Sequence, residues 1–374
     1  MGMVAGEPSG DLLGGLLLQG LRTHWPQAQA FGIGGSKMAA QGFDAWWPCE
    51  KLAVRGYVEV LRHYREIVGI RKQLRERLLA NKPDVFVGVD APDFNLDLEH
   101  ALKAQGVPTV HFVCPSIWAW RADRIAKIRD SVDHVLCIFP FEEALLASHG
   151  IEATFVGHPI AQAIPMQTDT TAARVALGLD PERPLVALLP GSRTSEMTYL
   201  AERFIQASRH MLAARPNLQF VLPALPALKP RIDAMVAQQQ MTAHIQVLSG
   251  QSHLALAACD VTLIASGTAT LEAALFKKPM VIAYNMHWLS WQIMRRQKLQ
   301  PWVGLPNILC QDFVVPELLQ DAATPARLAE AVLDWLGSPA KIELLQQRFT
   351  QLHYSLLRDT PQLAAHAIQK VLSR

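Results

Sequence analysis

Short apolar runs, each closed by glycine, proline or small polar residues, alternate along the chain with longer stretches of helical period. In the first half the runs are Met1–Val4, Phe31–Gly35, Asp84–Asp90, Thr109–Val113, Val135–Phe139 and Ala153–Gly157. In the second they are Leu185–Leu189, Gln219–Val221, Ile245–Leu248, Val261–Ala265 and Met280–Ala283. Helical periodicity falls between them, as in Leu12–Arg22 with Asp11 as its N-cap, in Tyr57–Leu79, and in the face formed by Leu200, Phe204, Ile205 and Met211. A last long helix is predicted from Ile342 to Leu372. Apolar strands separated by helices are parallel strands joined by right-handed crossovers.

The alternation is interrupted once. Glu152 to Asp180 carries Pro159, Pro165 and a run rich in Thr, Ala and Gln, which reads as an inter-domain linker at 166–184. The predicted architecture is therefore α/β, with two doubly wound Rossmann-like domains, 1–165 and 185–340, facing a cleft, and a helical segment 341–374 that crosses back to the first domain or to a partner chain as a homodimer. Ligands of such sheets sit outside the carboxyl ends of the strands. The first strand is short for a buried parallel strand, as expected of a trimmed terminus.

A chain of 374 residues is long for one core and fits two domains. The net charge of +2 gives no reason to expect a nucleic-acid partner. Cys49, Cys114, Cys137, Cys259 and Cys310 lie far apart without a C-x-x-C pair, which argues against a zinc site and a disulfide framework and fits a reducing compartment. No signal peptide precedes the first glycine-rich loop, and no apolar run approaches the roughly 20 residues that span a bilayer.

Polar residues gather at the predicted strand ends. Gly6-Glu7-Pro8-Ser9-Gly10-Asp11 is a glycine-rich exit loop. Asp90-Ala91-Pro92-Asp93-Phe94-Asn95 follows a strand apolar enough to desolvate Asp90, a condition that raises a carboxyl pKa and suits a general base; the alternative is an N-cap for the next helix, a part Asp93 could also take. Pro115-Ser116-Ile117-Trp118-Ala119-Trp120-Arg121 puts two tryptophans at a spacing that one helical face cannot hold, beside Arg121 and Arg124, and reads either as an anion site or as a buried aromatic corner. His158, before Pro159, reads as a structural hinge.

In the second half, Leu189-Pro190-Gly191-Ser192-Arg193, with Glu196, and Ala265-Ser266-Gly267-Thr268 through Glu272 both run strand, small-residue loop, helix, which leaves backbone N–H groups open to a phosphate. Neither is a Walker loop and neither half carries a full G-x-G-x-x-G. Leu305-Pro306-Asn307 sets one polar residue among apolar ones. Met286–Trp302 mixes Trp288, Trp291 and Trp302 with Arg295, Arg296 and Lys298, a composition that suits a membrane–water interface or a packed basic segment; Trp46-Trp47 and Val54–Tyr64 could extend such a surface.

Taken in order, Val4–Asp11, Gly88–Asn95, Pro115–Arg121, Leu189–Arg193 with Glu196, Ser266–Ala269 through Glu272, and Leu305–Asn307 resemble the bacterial lipid-A-disaccharide synthases, inverting glycosyltransferases of the two-Rossmann GT-B type. The resemblance spans nearly the whole chain; the family's first strand is longer. It implies transfer of a diacylated glucosamine from UDP-2,3-diacylglucosamine to the 6-hydroxyl of 2,3-diacylglucosamine 1-phosphate, giving the β-1,6 disaccharide 1-phosphate and UDP without a metal or other cofactor. It implies Asp90 as catalytic base. Arg193, Ser192, Ser266, Gly267, Thr268, Glu272 and Asn307 would hold the UDP donor, and Gly6, Ser9, Gly10, Trp118 and Arg121 the acceptor. It further implies a cytoplasmic enzyme resting on the inner face of the cytoplasmic membrane. The alternatives are another UDP-N-acetylglucosamine enzyme of this fold, such as a 2-epimerase or the murein-lipid glucosaminyltransferase, and a non-catalytic lipid- or nucleotide-binding protein.

Overall fold

The computed structural model describes the backbone of all residues other than 53–56, 120–122, 193, 287, 289–290 and 293–298, and the side chains of those described other than 8, 57–64, 194 and 195. The chain forms two compact units: Met1–Ala163 with Ser355–Arg374, and Ile164–Tyr354.

The first unit is built on a seven-stranded parallel sheet of order β3-β2-β1-β4-β5-β6-β7. Its strands are β1 (Gly2–Ala5), β2 (Phe31–Gly34), β3 (Asp44–Pro48), β4 (Phe86–Val89), β5 (Thr109–Phe112), β6 (His134–Cys137) and β7 (Ala153–Phe155). The apolar runs at β1, β4, β5 and β6 are buried along their whole length, as strands covered on both faces must be. One core cluster joins Val4, Ile33 and Phe86 to Leu74 and Leu78 of the helix Tyr57–Asn81 and to Leu98 and Leu102 of the helix Pro92–Lys103.

Strand β3 has no counterpart in the apolar pattern, because it is an edge strand whose side chains are exposed or half-buried. Trp46 stacks on Phe31 with ring centroids 4.8 Å apart, donates its indole N–H to Asp44 at 2.8 Å, and carries the Arg77 guanidinium 3.9 Å above its ring. This tryptophan is therefore half-buried at the sheet edge.

Asp11 does not cap the helix it was expected to cap. That helix, Pro8–His24, begins four residues earlier, with Glu7 at its N-cap. Asp11 is buried and accepts instead from Gly35 N, Lys37 N and Met38 N at 2.7, 2.9 and 3.0 Å, binding the turn after β2. The predicted C-terminal helix is two helices, Pro339–Leu356 and Thr360–Leu372. Between them Asp359 accepts from Gln362 N at 3.1 Å and restarts the helix, which packs on Pro8–His24 where Gly20 leaves room for Pro361.

The second unit carries a six-stranded parallel sheet of order β10-β9-β8-β11-β12-β13: β8 (Leu185–Leu189), β9 (Gln219–Ala224), β10 (Ile245–Ser249), β11 (Val261–Ala265), β12 (Met280–Tyr284) and β13 (Glu317–Leu319). Leu200, Phe204, Ile205 and Met211, the face marked by helical period, are buried on the helix Thr194–Ala214. Each such side chain contributes about 1.5–3 kcal/mol relative to exposure.

The segment expected to be a linker folds into this unit. It carries the helix Thr170–Ala176, capped by Asp169, and its Arg174 is buried. Arg174 donates to Ala258 O at 2.9 Å, Pro181 O at 2.6 Å and Asp260 Oδ2 at 2.7 Å, and the same carboxylate oxygen takes Leu185 N at the start of β8. A proline- and threonine-rich composition thus hides one guanidinium that ties the segment to the sheet.

Candidate functional site

Each sheet reverses its winding once. In the first, β1 leads to β2 on one side while β4 leads to β5 on the other, so the switch point lies between β1 and β4, which pair in register from Gly2↔Phe86 to Ala5↔Val89. The residues just beyond these strand ends are Gly6 and Asp90. The two stretches far apart in sequence are therefore adjacent in space.

Asp90 stands on an unusual backbone. Asp90 and Ala91 both adopt left-handed φ, +52° and +44°, which non-glycine residues seldom do in succession. The turn is held on every side. Asp90 N donates to Phe112 O at 2.9 Å, and Ala91 O accepts from Phe94 N and Asn95 N at 3.0 Å. Asn95, fully buried, donates its amide to Asp90 O at 2.8 Å and lies against Val4 O and Val89 O at 3.3 and 3.4 Å. Gly6 makes the turn sterically possible, since a Cβ there would stand 2.6 Å from Ala91 Cβ. Gly10 is under no such constraint, its nearest neighbour being Val89 O at 3.5 Å, and Ser9 is exposed in the first helical turn.

The Pro115–Trp118 stretch follows β5 on the far side of Asp90. Trp118 is 8% exposed and donates its indole N–H to Glu142 Oε1 at 2.9 Å. It stands edge-on to Phe139 and Phe141 at 6.0 and 5.3 Å. Glu142 also accepts from Ile138 N and Phe139 N at 3.1 and 3.0 Å; burial lifts its carboxyl to about 7 against the pull of these donors. Trp118 is thus the wall of a buried aromatic corner, the second of the two readings of this stretch, and Glu142 takes its indole N–H. Trp120 and Arg121 lie outside the described residues. Arg124, a second candidate for anion binding, is buried and engaged by Asp93. His158 borders the same corner, 5.7 Å from Phe139, and desolvation lowers its pKa to about 4.

In the second sheet the switch point lies between β8 and β11, which pair as far as Leu189↔Ile264. Two predicted loops meet there. Gly191 takes φ +115°, and a Cβ would overlap the Glu196 carboxylate, whose Oε2 accepts from Ser192 N at 3.0 Å. Ser192 is exposed at the loop's crest; Arg193, the next residue, lies outside the described residues. From the other strand, Ser266 is tied down by Ser266 N to Ala283 O at 2.9 Å and by its hydroxyl to Val303 O at 3.1 Å. Gly267 and Thr268 are exposed at the start of the helix Thr268–Leu275, and open space surrounds the position a Gly267 Cβ would take. No side chain caps the start of that helix, and small residues flank it, an arrangement that suits a phosphate.

Glu272 lies one turn into the same helix. Its Oε2 is 3.3 Å from His253 Nε2, and this contact raises the imidazole pKa against partial burial. Nothing in the local pattern of the helix Ser252–Ala258 marks His253; only the packing of that helix beside Thr268–Leu275 brings it to Glu272.

Asn307 is fully buried. Its amide donates to Val315 O and Glu317 Oε1, both at 2.9 Å, and its carbonyl accepts from Val314 N and Val315 N at 2.9 and 3.0 Å. All four hydrogen-bonding positions are occupied by protein, so Asn307 does not offer itself to a ligand. Glu317 in turn accepts from Val303 N and Gly304 N. The Asn307–Glu317 pair therefore fixes the segment whose Val303 carbonyl holds Ser266.

Of Met286–Trp302, Trp288 is 63% exposed, whereas residues 287, 289–290 and 293–298, Arg295, Arg296 and Lys298 among them, lie outside the described residues, as do Val54 to Gly56. Among the described residues, no helix is long and apolar enough to cross a membrane.

A family model described as lipid-A-disaccharide synthetase matches residues 1–369. A lipid-A-disaccharide synthase of Albidiferax ferrireducens is 67% identical over 375 residues, covering 99% of this chain and 96% of that protein. One of Verminephrobacter eiseniae is 60% identical, covering 99% and 97%. Among solved structures, a UDP-GlcNAc 2-epimerase from Neisseria meningitidis bound to UDP-GlcNAc superposes with a TM-score of 0.64 at 13% identity, over 100% of this chain and 97% of that one. WaaG, a glycosyltransferase involved in lipopolysaccharide biosynthesis, superposes with a TM-score of 0.57 at 14% identity, over 99% of each chain. At such identities the structural likeness speaks for the fold alone.

Proposed function

The chain belongs to the lipid-A-disaccharide synthetase family of glycosyltransferases, and on that premise we propose that it joins UDP-2,3-diacylglucosamine to 2,3-diacylglucosamine 1-phosphate. In this reaction Asp90 takes the proton of the acceptor 6-hydroxyl. The oxygen attacks the anomeric carbon of the donor, the bond from that carbon to the diphosphate oxygen breaks, and UDP departs with inversion from α to β. The observation that supports this assignment is that Asp90, the one carboxylate on a left-handed backbone among the described residues, stands at the switch point of the first sheet.

The donor reading rests on the second switch point. The N-terminus of Thr268–Leu275 and the loop through Ser192 suit a diphosphate. Arg193, by its place next to Ser192, would add a charge to meet the one that develops on UDP. Glu272 suits the ribose hydroxyls, while Ser266 and Asn307 shape the loops rather than touch the nucleotide. On the acceptor side Gly6 serves by admitting the Asp90–Ala91 turn, Ser9 and Gly10 border it, Trp118 backs it, and Arg121 is assigned to the acceptor 1-phosphate. Acylated substrates call for a peripheral position at a membrane surface, to which exposed Trp288 is suited.

The test is product analysis by mass spectrometry with both diacylated substrates present. Disaccharide 1-phosphate and UDP should appear together; no UDP release with both substrates present refutes the assignment. Asp90→Asn should lower turnover by about 10²–10⁴-fold while UDP still binds, and weakened UDP binding with normal turnover would overturn the base role.

A further inference from the structure

Glu272, assigned above to the ribose, has a neighbour that the donor reading does not use. His253 Nε2 stands 3.3 Å from Glu272 Oε2, with the carboxylate side chain 18% exposed and the imidazole 48%. Phe276, at the C-cap of the helix Thr268–Leu275, meets the same ring edge-on, with centroids 5.4 Å apart and planes at 67°. Residues four apart share one helical face. That face therefore presents a carboxylate and an aromatic side chain together, and the imidazole rests against both.

A tight reversal of the chain brings His253 there. Strand β10 ends at Ser249, and Gly250 and Gln251 both take left-handed φ, +68° and +61°. Gly250 N donates to Ala224 O at 2.6 Å, which ties the reversal to the neighbouring β9. The helix Ser252–Ala258 starts directly afterwards, anchored by buried Ala255, Leu256 and Ala258. His253 is thus the second residue of a fixed helix at the carboxyl end of β10, the same end of the parallel sheet at which the loops of Ser192 and Ser266 lie.

Stability is a poor account of this contact, because solvent screens a half-exposed ion pair and leaves it little to contribute to folding. Its effect on the carboxylate is more specific. The contact engages one oxygen, Oε2, and a carboxylate has a second oxygen that also accepts. We propose that His253 is a positioning residue for the UDP-sugar donor: its Nε2 holds one oxygen of Glu272, so that the carboxylate is set to accept from the ribose hydroxyls before the nucleotide arrives. This rests on the reading of Glu272 as the ribose ligand. A glutamate held in advance need not be ordered by the ligand, and the difference appears as affinity for the hydroxylated ribose alone.

Affinities of the full chain for UDP and for 2′,3′-dideoxy-UDP, measured by isothermal titration calorimetry, isolate that effect, since the two ligands share base and diphosphate. Wild type should prefer UDP by about tenfold or more, the scale of a hydrogen bond to a charged group. Two variants divide the ring between them: a glutamine amide reaches as far as Nε2, an asparagine amide only as far as Nδ1. His253→Asn should lose about fivefold of the preference, the effect of one side chain that must now be ordered on binding, whereas His253→Gln should keep most of it. In steady state His253→Asn should raise KM for the UDP-sugar by a similar factor and leave kcat and the acceptor KM unchanged. A full wild-type preference in His253→Asn overturns the proposal, as does a His253→Gln no better than His253→Asn. Glu272→Gln separates the two readings. A preference that survives in Glu272→Gln, or is missing from the wild type, defeats the ribose reading of Glu272; one lost in Glu272→Gln but kept in His253→Asn defeats the role of His253 alone.

Discussion

Replacing Gly6 with alanine puts a methyl group where Ala91 already stands. On the present backbone the new Cβ lies 2.6 Å from Ala91 Cβ, whereas carbon atoms in contact sit about 3.5–4.0 Å apart. One strand end must give by about 1 Å. Ala91 is badly placed to yield: its carbonyl already receives Phe94 N and Asn95 N, and Asp90 before it is pinned through Phe112 O and Asn95. The displacement therefore passes to the Asp90 carboxylate, and a misplacement of about 1 Å at a reacting group costs around 10²-fold in rate. Overpacking adds a stability loss of about 1–3 kcal/mol. UDP release at saturating substrates should fall about a hundredfold in Gly6→Ala, while the protein stays folded by thermal unfolding and binds UDP as before. Ala91→Gly removes the obstructing methyl and suits the left-handed φ, so the double variant Gly6→Ala/Ala91→Gly should recover most of the lost kcat. Wild-type turnover in Gly6→Ala, or a double variant no faster than the single one, would refute the steric account of the turn.

Three further expectations concern the framework. The folded-state pKa of His158 is pushed down from 6.5 to about 4 by desolvation. Its contribution to stability is therefore complete above 6.5 and is lost as pH falls through about 4, amounting to about 3 kcal/mol; His158→Gln should flatten the acid side of the urea-midpoint profile, and an unchanged slope rejects the burial argument. Arg174→Met removes three hydrogen bonds and leaves the half-exposed Asp260 without its guanidinium, so urea unfolding should show a loss of about 2–3 kcal/mol; a loss below about 0.5 kcal/mol would mean the Thr170–Ala176 helix is only loosely joined. Asn307→Ala takes the partner from the half-buried Val314 and buried Val315 N–H groups and one hydrogen bond from Glu317. It should cost about 3 kcal/mol and raise KM for the UDP-sugar more than it lowers kcat, since Ser266 depends on the segment Asn307 holds; an unaltered KM separates that segment from the donor site.

Much of this protein is legible along its chain. The strands buried on both faces announce themselves as continuous apolar runs, because a side chain on either side of such a strand must be apolar, and eleven of the strands fall where those runs predict. The amphipathic face of Thr194–Ala214 is equally plain. The candidate-site loops are visible as interruptions: Gly6, Asp90, Ser192 and Ser266–Thr268 all lie at or within three residues of the end of an apolar run.

What sequence alone misses depends on partners supplied from elsewhere. Trp46 gives no sign in the sequence of its stacking on Phe31 and Arg77, and the three-residue β13 is too short to show a period. Trp118 reads either as part of an anion site or as a buried aromatic corner, and Asn307 as one polar residue among apolar ones; the fold shows that Glu142 takes the indole N–H and that four protein groups take the Asn307 amide. Asp11 looks like the cap of its own helix and instead binds the turn after β2. The contact between buried Glu99 and His111 carries no local mark, since it depends on Gly88 in a third element. Periodicity is a property of neighbours along the chain and survives in the sequence. Hydrogen-bond partnership across a sheet is a property of register between distant strands, and only the tertiary structure sets it.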